Sequence, residues 1–137
     1  MPLHIRPFSG DDQGAVIALW ENCRLVRPQN NPEMDIRAKM QFQPDLFFVA
    51  LLEERIVGTV MAGYEGHRGW INYLAVAPEY QRRGIGRSLM STAQAALLSL
   101  GCPKINLQVR RSNEAVLLFY QALGFKEDDV VSLGKRL

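Results

Sequence analysis

The chain has 137 residues, 47% apolar and 22% charged, with a net charge of +2, a composition that excludes a disordered or fibrous protein. One domain over residues 1–137 is expected, since two of ordinary size do not fit. The near-neutral balance gives no bulk electrostatic case for a nucleic-acid or membrane-surface partner, and no apolar run reaches the ~20 residues of a bilayer span.

Leu3 and Ile5 alternate with His4 and Arg6, the period of a short half-buried strand. Ser9 and Asp12 form an S-x-x-D helix start, followed by Val16, Leu19, Trp20 and Cys23 at helical spacing. Asn31-Pro32 supplies an N-cap and a first-turn proline for a second helix carrying Ile36 and Met40. Leu46 to Leu52 is a continuous apolar run that predicts a strand buried on both faces. Glu53-Glu54-Arg55 turns the chain into a second strand, Ile56 to Tyr64, completing a hairpin. After the turn Glu65 to Gly69, Trp70 to Val76 predicts the next antiparallel strand.

Pro78 ends that strand, and Gln81-Arg82-Arg83-Gly84-Ile85-Gly86 leads into a helix with Ile85, Leu89, Ala93, Ala96, Leu97 and Leu100 on one face. Gly101 and Pro103 stop it. Lys104 to Val109 alternates as a strand, Asn113 caps a helix burying Val116, Phe119, Tyr120 and Leu123, and Val130, Val131 and Leu133 suggest a last strand. The order β-α-α-β-β-β-α-β-α-β predicts an α/β fold, a mixed sheet flanked by helices. Cys23 and Cys102 read as reduced, mostly buried thiols. Without an apolar signal core at the N-terminus, a soluble cytoplasmic protein is expected.

A glycine turn opening a helix leaves backbone N–H groups unpaired and suits a phosphate. Glycines also serve simply to make tight turns. Neither a G-x-x-x-x-G-K-[ST] P-loop nor a G-x-G-x-x-G dinucleotide fingerprint is present. The strand, turn and helix that follow make a βαβ unit with parallel strands, in which ligands sit beyond the strands' carboxyl ends.

Leu74-Ala75-Val76-Ala77-Pro78-Glu79-Tyr80-Gln81-Arg82-Arg83-Gly84-Ile85-Gly86-Arg87-Ser88-Leu89 resembles the acetyl-CoA motif of the GCN5-related N-acetyltransferases, the GNAT family. Asn113 to Phe125 resembles the family's later motif, in the right order and spacing. The resemblance covers nearly the whole chain and implies the GNAT-like acyl-CoA N-acyltransferase fold, with acetyl-CoA as co-substrate. It also implies that Gln81, Arg82, Arg83, Gly84, Ile85, Gly86, Arg87 and Ser88 surround the pyrophosphate. Leu74, Ala75 and Val76 then bind the pantetheine arm by main chain, with Asn113 and Phe119 nearby. For Asn113, helix capping and cofactor contact both stay open.

Transfer of an acetyl group to an amine needs a neutral amine, an oxyanion donor and a proton for the thiolate. The resemblance puts Tyr120 at the general-acid position, although its helical spacing equally suits the core. The main-chain N–H of Leu74 or Val76 is the expected oxyanion donor. Many relatives carry a glutamate near positions 72 and 73, where this chain has Asn72 and Tyr73. The base is therefore left open among Glu33, Asp35, Glu65, His67, a water relay from Asn72 or Tyr73, and an amine that arrives neutral. Acceptor candidates are Trp20, Arg24, Arg27, Glu33, Asp35, Tyr64, His67 and Asn72.

The expected acceptor is a small-molecule amine, a peptide N-terminus or a lysine, and the expected assembly a monomer or homodimer. The alternative, motivated by the missing glutamate, is a CoA-binding module with little turnover. No metal is expected, since His4 and His67 stand outside any ligand-spacing motif. Nucleic-acid binding through Arg82, Arg83, Arg110 and Arg111 lacks an aromatic platform.

Overall fold

The first strand, β1 (His4–Pro7), leads through a 3-10 turn into α1 (Gln13–Asn22) and then α2 (Pro32–Lys39). Three strands follow, β2 (Phe47–Leu52), β3 (Arg55–Tyr64) and β4 (Gly69–Val76), then α3 (Ile85–Ser99), β5 (Ile105–Asn106) and α4 (Glu114–Ala122). The computed structural model describes residues 2–137, in two units: one ending at Leu107, the other Gln108–Leu137.

In the first unit the five strands form one sheet in sequence order. Strands β1 to β4 pair antiparallel, β1 reaching β2 through α1 and α2 and β2 to β4 joined by short turns, and β4 pairs β5 in parallel because α3 carries the chain back. The helix starts follow local chemistry. Ser9 N–H donates to Asp12 Oδ2 at 2.9 Å, and Arg6 grips the same carboxylate with bonds of 2.7 and 2.9 Å. At α2, Met34 N–H donates to Asn31 Oδ1 at 3.1 Å, with Pro32 in the first turn.

Neighbouring residues of a strand face opposite sides of the sheet. A Cβ on Gly58 would meet Leu89 and Ile85 of α3, whereas Thr59 bonds Trp20 of α1. Thus α3 covers one face of the sheet and α1 the other. Beneath α1 and α2, Phe8, Val16, Leu19, Trp20, Ile36, Phe47 and Val49 form a closed core. On α3, Ile85, Leu89, Met90, Ala93 and Leu97 are buried.

Two expectations are corrected. The strand read over Lys104 to Val109 is only Ile105–Asn106, because β5 pairs β4 at Gly69 and Trp70 alone. The last strand read around Val130, Val131 and Leu133 does not form. These side chains are 77%, 82% and 90% exposed, so no packing offsets the cost of ordering them. In the second unit, Asn113 Oδ1 caps α4 by accepting Val116 N–H at 3.4 Å, and Gly124 leaves the helix at φ +97°.

Candidate active site

Strand β4 breaks its ladder with β3 at one place. Ala75 pairs Thr59 and Asn72 pairs Met61, so three steps on β4 match two on β3, and Tyr73 and Leu74 have no partner there. This is a β-bulge. Tyr73 sits at φ +52°, a conformation that bulky side chains rarely adopt.

Surrounding residues over-determine this conformation. The Thr59 hydroxyl donates to Tyr73 O at 2.8 Å and accepts Trp20 Nε1–H at 2.9 Å. The Tyr73 ring stacks on Trp20 with centroids 3.8 Å apart, and Trp20 in turn stacks on Phe47 and Phe47 on Phe8. At its far end the Tyr73 hydroxyl donates to Asp35 Oδ2 at 2.5 Å. Burial first, and then Asp35, holds this phenol well above its ordinary pKa, so it stays protonated.

Beyond Trp70, β4 and β5 separate, leaving Ile71 to Val76 without a strand partner on that edge among the described residues. The chain then reaches the glycine turn. Arg82 and Gly84 have φ of +65° and +82°, which turns successive N–H groups outward. Among the described residues, none of the six N–H groups from Arg82 to Arg87 donates to a protein acceptor. The start of α3 adds its dipole to this run of donors.

The other turn residues divide by role. Arg82, Arg83 and Arg87 are exposed, with the Arg83 guanidinium 5.3 Å from the Tyr80 ring centroid. Ile85 is core, so only its main chain faces outward, and Ser88 N–H is already on Gly84 O at 3.0 Å. Gln81 Nε2 donates to Val76 O at 3.1 Å, tying the turn to the end of β4. The same carbonyl accepts from Cys23 Sγ at 3.4 Å. Both cysteines are free, and burial pushes the Cys23 thiol up.

The sequence model of the acetyltransferase (GNAT) family matches residues 15–125. The chain belongs to the GNAT family. An acetyltransferase of Pectobacterium atrosepticum is 50% identical over 135 residues, covering 98% of this chain and 96% of that one. The fold matches aminoglycoside N-acetyltransferase AAC(6')-Iy in complex with a CoA-acetylneamine bisubstrate analogue (TM-score 0.82, 19% identity, all of both chains). It also matches the NatC complex bound to Gag peptide and CoA (TM-score 0.82, 22% identity, 94% and 87% of the chains). The protein is thus an enzyme, a GNAT-type acetyltransferase with the fold expected of that family.

The structure distributes this acetyltransferase's remaining candidate residues unevenly. Trp20 is corrected from an acceptor residue to a core residue: it has no exposed surface and its indole is spent on Thr59, Tyr73 and Phe47. Tyr64 and His67 lie at the turn entering β4, and seven strand steps separate Gly69 from Val76, roughly 23 Å. The Tyr64 hydroxyl donates to Gly66 O, and the Glu65 carboxylate accepts the N–H groups of His67 and Arg68. Glu65 is thereby a turn-holding group. Arg24 follows α1 at φ +60°, and Arg24, Arg27, Glu33 and Asn72 are exposed.

In the second unit Tyr120 is buried between Phe119 and Phe125, at centroid distances of 5.1 and 5.6 Å, and burial raises its phenol to about 12. Among the described residues no group of three or more His, Cys, Asp or Glu could hold a metal ion, and no helix is long and apolar enough to cross a membrane. The pairing of Tyr73 with Asp35 has no signal in the sequence, because 38 residues separate the two. Only the folded bulge joins them.

Proposed function

We propose that the enzyme moves an acetyl group from acetyl-CoA to a primary amine by direct attack in a ternary complex, within a single catalytic domain over residues 1–137. The observation that carries this reading is the run of six unpartnered main-chain N–H groups from Arg82 to Arg87, at the end of a strand whose edge is also open. A pyrophosphate supplies the acceptors such a run lacks. The nearby arginines add charge, and an extended amide-bearing arm matches the main-chain N–H groups of Leu74 to Val76 on an edge with no strand partner among the described residues.

When bound, acetyl-CoA supplies an activated acyl carbon. The chain's own groups do the rest. The N–H of Leu74 or Val76 stabilises the oxyanion, and Tyr120, protonated at neutral pH, donates to the departing thiolate. Asn113 and Phe119 flank the cofactor, with Asn113 already committed as a helix cap. Candidate acceptors are small-molecule amines, peptide N-termini and lysines; the complexes with acetylneamine and with a peptide support a small-molecule or a peptide acceptor. We place the enzyme in the cytoplasm as a monomer or homodimer, without metal.

Thiol release from acetyl-CoA tests the reading with neamine, spermidine and a lysine-containing peptide with a free N-terminus. Release dependent on at least one amine is expected. Acetyl-CoA binding without release on any of them would contradict it.

A further inference from the structure

We propose that Tyr73 and Asp35 form the acceptor-amine subsite, the Tyr73 phenol oxygen taking a proton from a primary ammonium as its own proton passes to Asp35. This rests on the acetyl-transfer reading above and assigns the base that reading leaves open.

The first ground is position. Tyr73 is a bulge residue immediately before Leu74, one of the two proposed oxyanion donors. An acceptor bound at Tyr73 therefore approaches the strand where the acyl carbon is to be attacked. The second ground is hydrogen-bonding capacity. A phenol has one donor and two lone pairs. Tyr73 spends its donor on Asp35 at 2.5 Å, leaving only acceptor capacity. Phenol and carboxylate together present a net negative, acceptor-only pair, suited to a cation that carries N–H donors.

The third ground is access and rigidity. One face of the Tyr73 ring is locked on fully buried Trp20, and the Tyr73 carbonyl is held by Thr59. Tyr73 and Asp35 are nonetheless both half-buried rather than sealed. A phenylalanine would fill the stack equally well, so packing does not explain the hydroxyl. Backbone strain at a bulky residue, held by so many partners, is characteristic of sites where direction matters.

The proton balance closes. The ammonium gives one proton to Tyr73 Oη while the phenolic proton moves to Asp35, leaving a neutral amine and a carboxylic acid. The nitrogen lone pair forms the C–N bond and the C–S bond breaks. The nitrogen then sheds a second proton, the thiolate gains one, and Asp35 returns its proton to solvent. One proton is released per acetyl group transferred. Tyr73 is the catalytic residue here and Asp35 the positioning residue behind it.

Tyr73→Phe and Asp35→Asn test this, since each keeps the shape of its site. Thiol release is measured with every amine of the panel above that the wild type acetylates. Affinity for those amines is measured by calorimetry without acetyl-CoA, and acetyl-CoA affinity and thermal midpoint serve as controls. Each variant is expected to lose at least ~100-fold in kcat and at least ~10-fold in amine affinity, with acetyl-CoA affinity unchanged. The double variant should be no slower than Tyr73→Phe, as groups acting in series are not additive.

An active wild type whose two variants keep kcat and amine affinity, with or without a lower thermal midpoint, would overturn the subsite and leave the transfer reading intact. A wild type that binds acetyl-CoA and acetylates no panel amine would overturn both.

Discussion

Burial between Phe119 and Phe125 sets what Tyr120 can do. Its phenol, raised to about 12, keeps its proton at neutral pH and can donate it only to a stronger base that it touches directly. A thiolate leaving a thioester, whose ordinary pKa of about 8.5 lies well below this, takes the proton only when contact with the ring and exclusion of water raise its own basicity. Tyr120→Phe should therefore lower kcat by about 100-fold in thiol release, with acetyl-CoA affinity unchanged. An unchanged kcat, with chemistry shown to be rate-limiting, would make Tyr120 a core residue only. Its helical spacing in the sequence suits both roles equally, which is why the pattern alone leaves them open. Trp20 shows the opposite outcome: a polar-edged aromatic that the sequence places among acceptor residues is wholly buried, because Thr59, 39 residues away, satisfies its indole N–H.

Elements were more legible than residues wherever one local rule decides them. Asn31-Pro32 starts α2 and Asn113 starts α4, both through the capping bonds their residue types predict. The apolar run Phe47–Leu52 is a strand covered on both faces, as its lack of alternation implies. The bulge at Tyr73 was not legible, since a positive φ at a tyrosine is imposed by Thr59, Trp20 and Asp35 from three other elements. The role of Gly58 was equally hidden. A Cβ there would sit 2.9 Å from Leu89 Cδ1 and 3.0 Å from Ala75 O, so glycine permits the close approach of β3, β4 and α3. Gly58→Val should destabilise the fold by about 1–3 kcal/mol, read as a lower urea midpoint at unchanged slope. A wild-type midpoint would mean that the layers can move apart at no cost.

At the scale of the whole molecule, the mixed sheet with helices on its faces could be read from the order of elements, while the C-terminal strand could not. Three apolar residues within four positions suggest a strand, but strand formation depends on a partner that the sequence does not display. Global stability also carries a signature of two phenols, half-buried Tyr73 and buried Tyr120. Tyr73 and Tyr120 both have raised pKa values, so the folded state holds these protons more tightly than the unfolded chain. Their contribution is fully present below the ordinary phenol range, about 10, and is lost as pH rises toward and through 12. The urea midpoint should thus fall steeply above about pH 10, and the fall should be shallower in Tyr120→Phe; equal slopes would contradict the burial assigned to Tyr120.

The glycine turn joins the strand edge, the helix start and the acyl donor into one account. Gly84 holds φ +82° at the head of α3, and a Cβ added there would meet nothing within 4 Å, so substitution strains the backbone rather than crowding it. A β-branched residue must leave this conformation, at roughly 1–2 kcal/mol, and the N–H groups turn away with it. Calorimetric titration of acetyl-CoA against the wild type and Gly84→Val is the most direct measurement. The wild type should bind, and the variant should bind at least ~10-fold more weakly, with a thermal midpoint lowered by only a few degrees. Equal dissociation constants for the two proteins would remove the turn from the site and contradict the account.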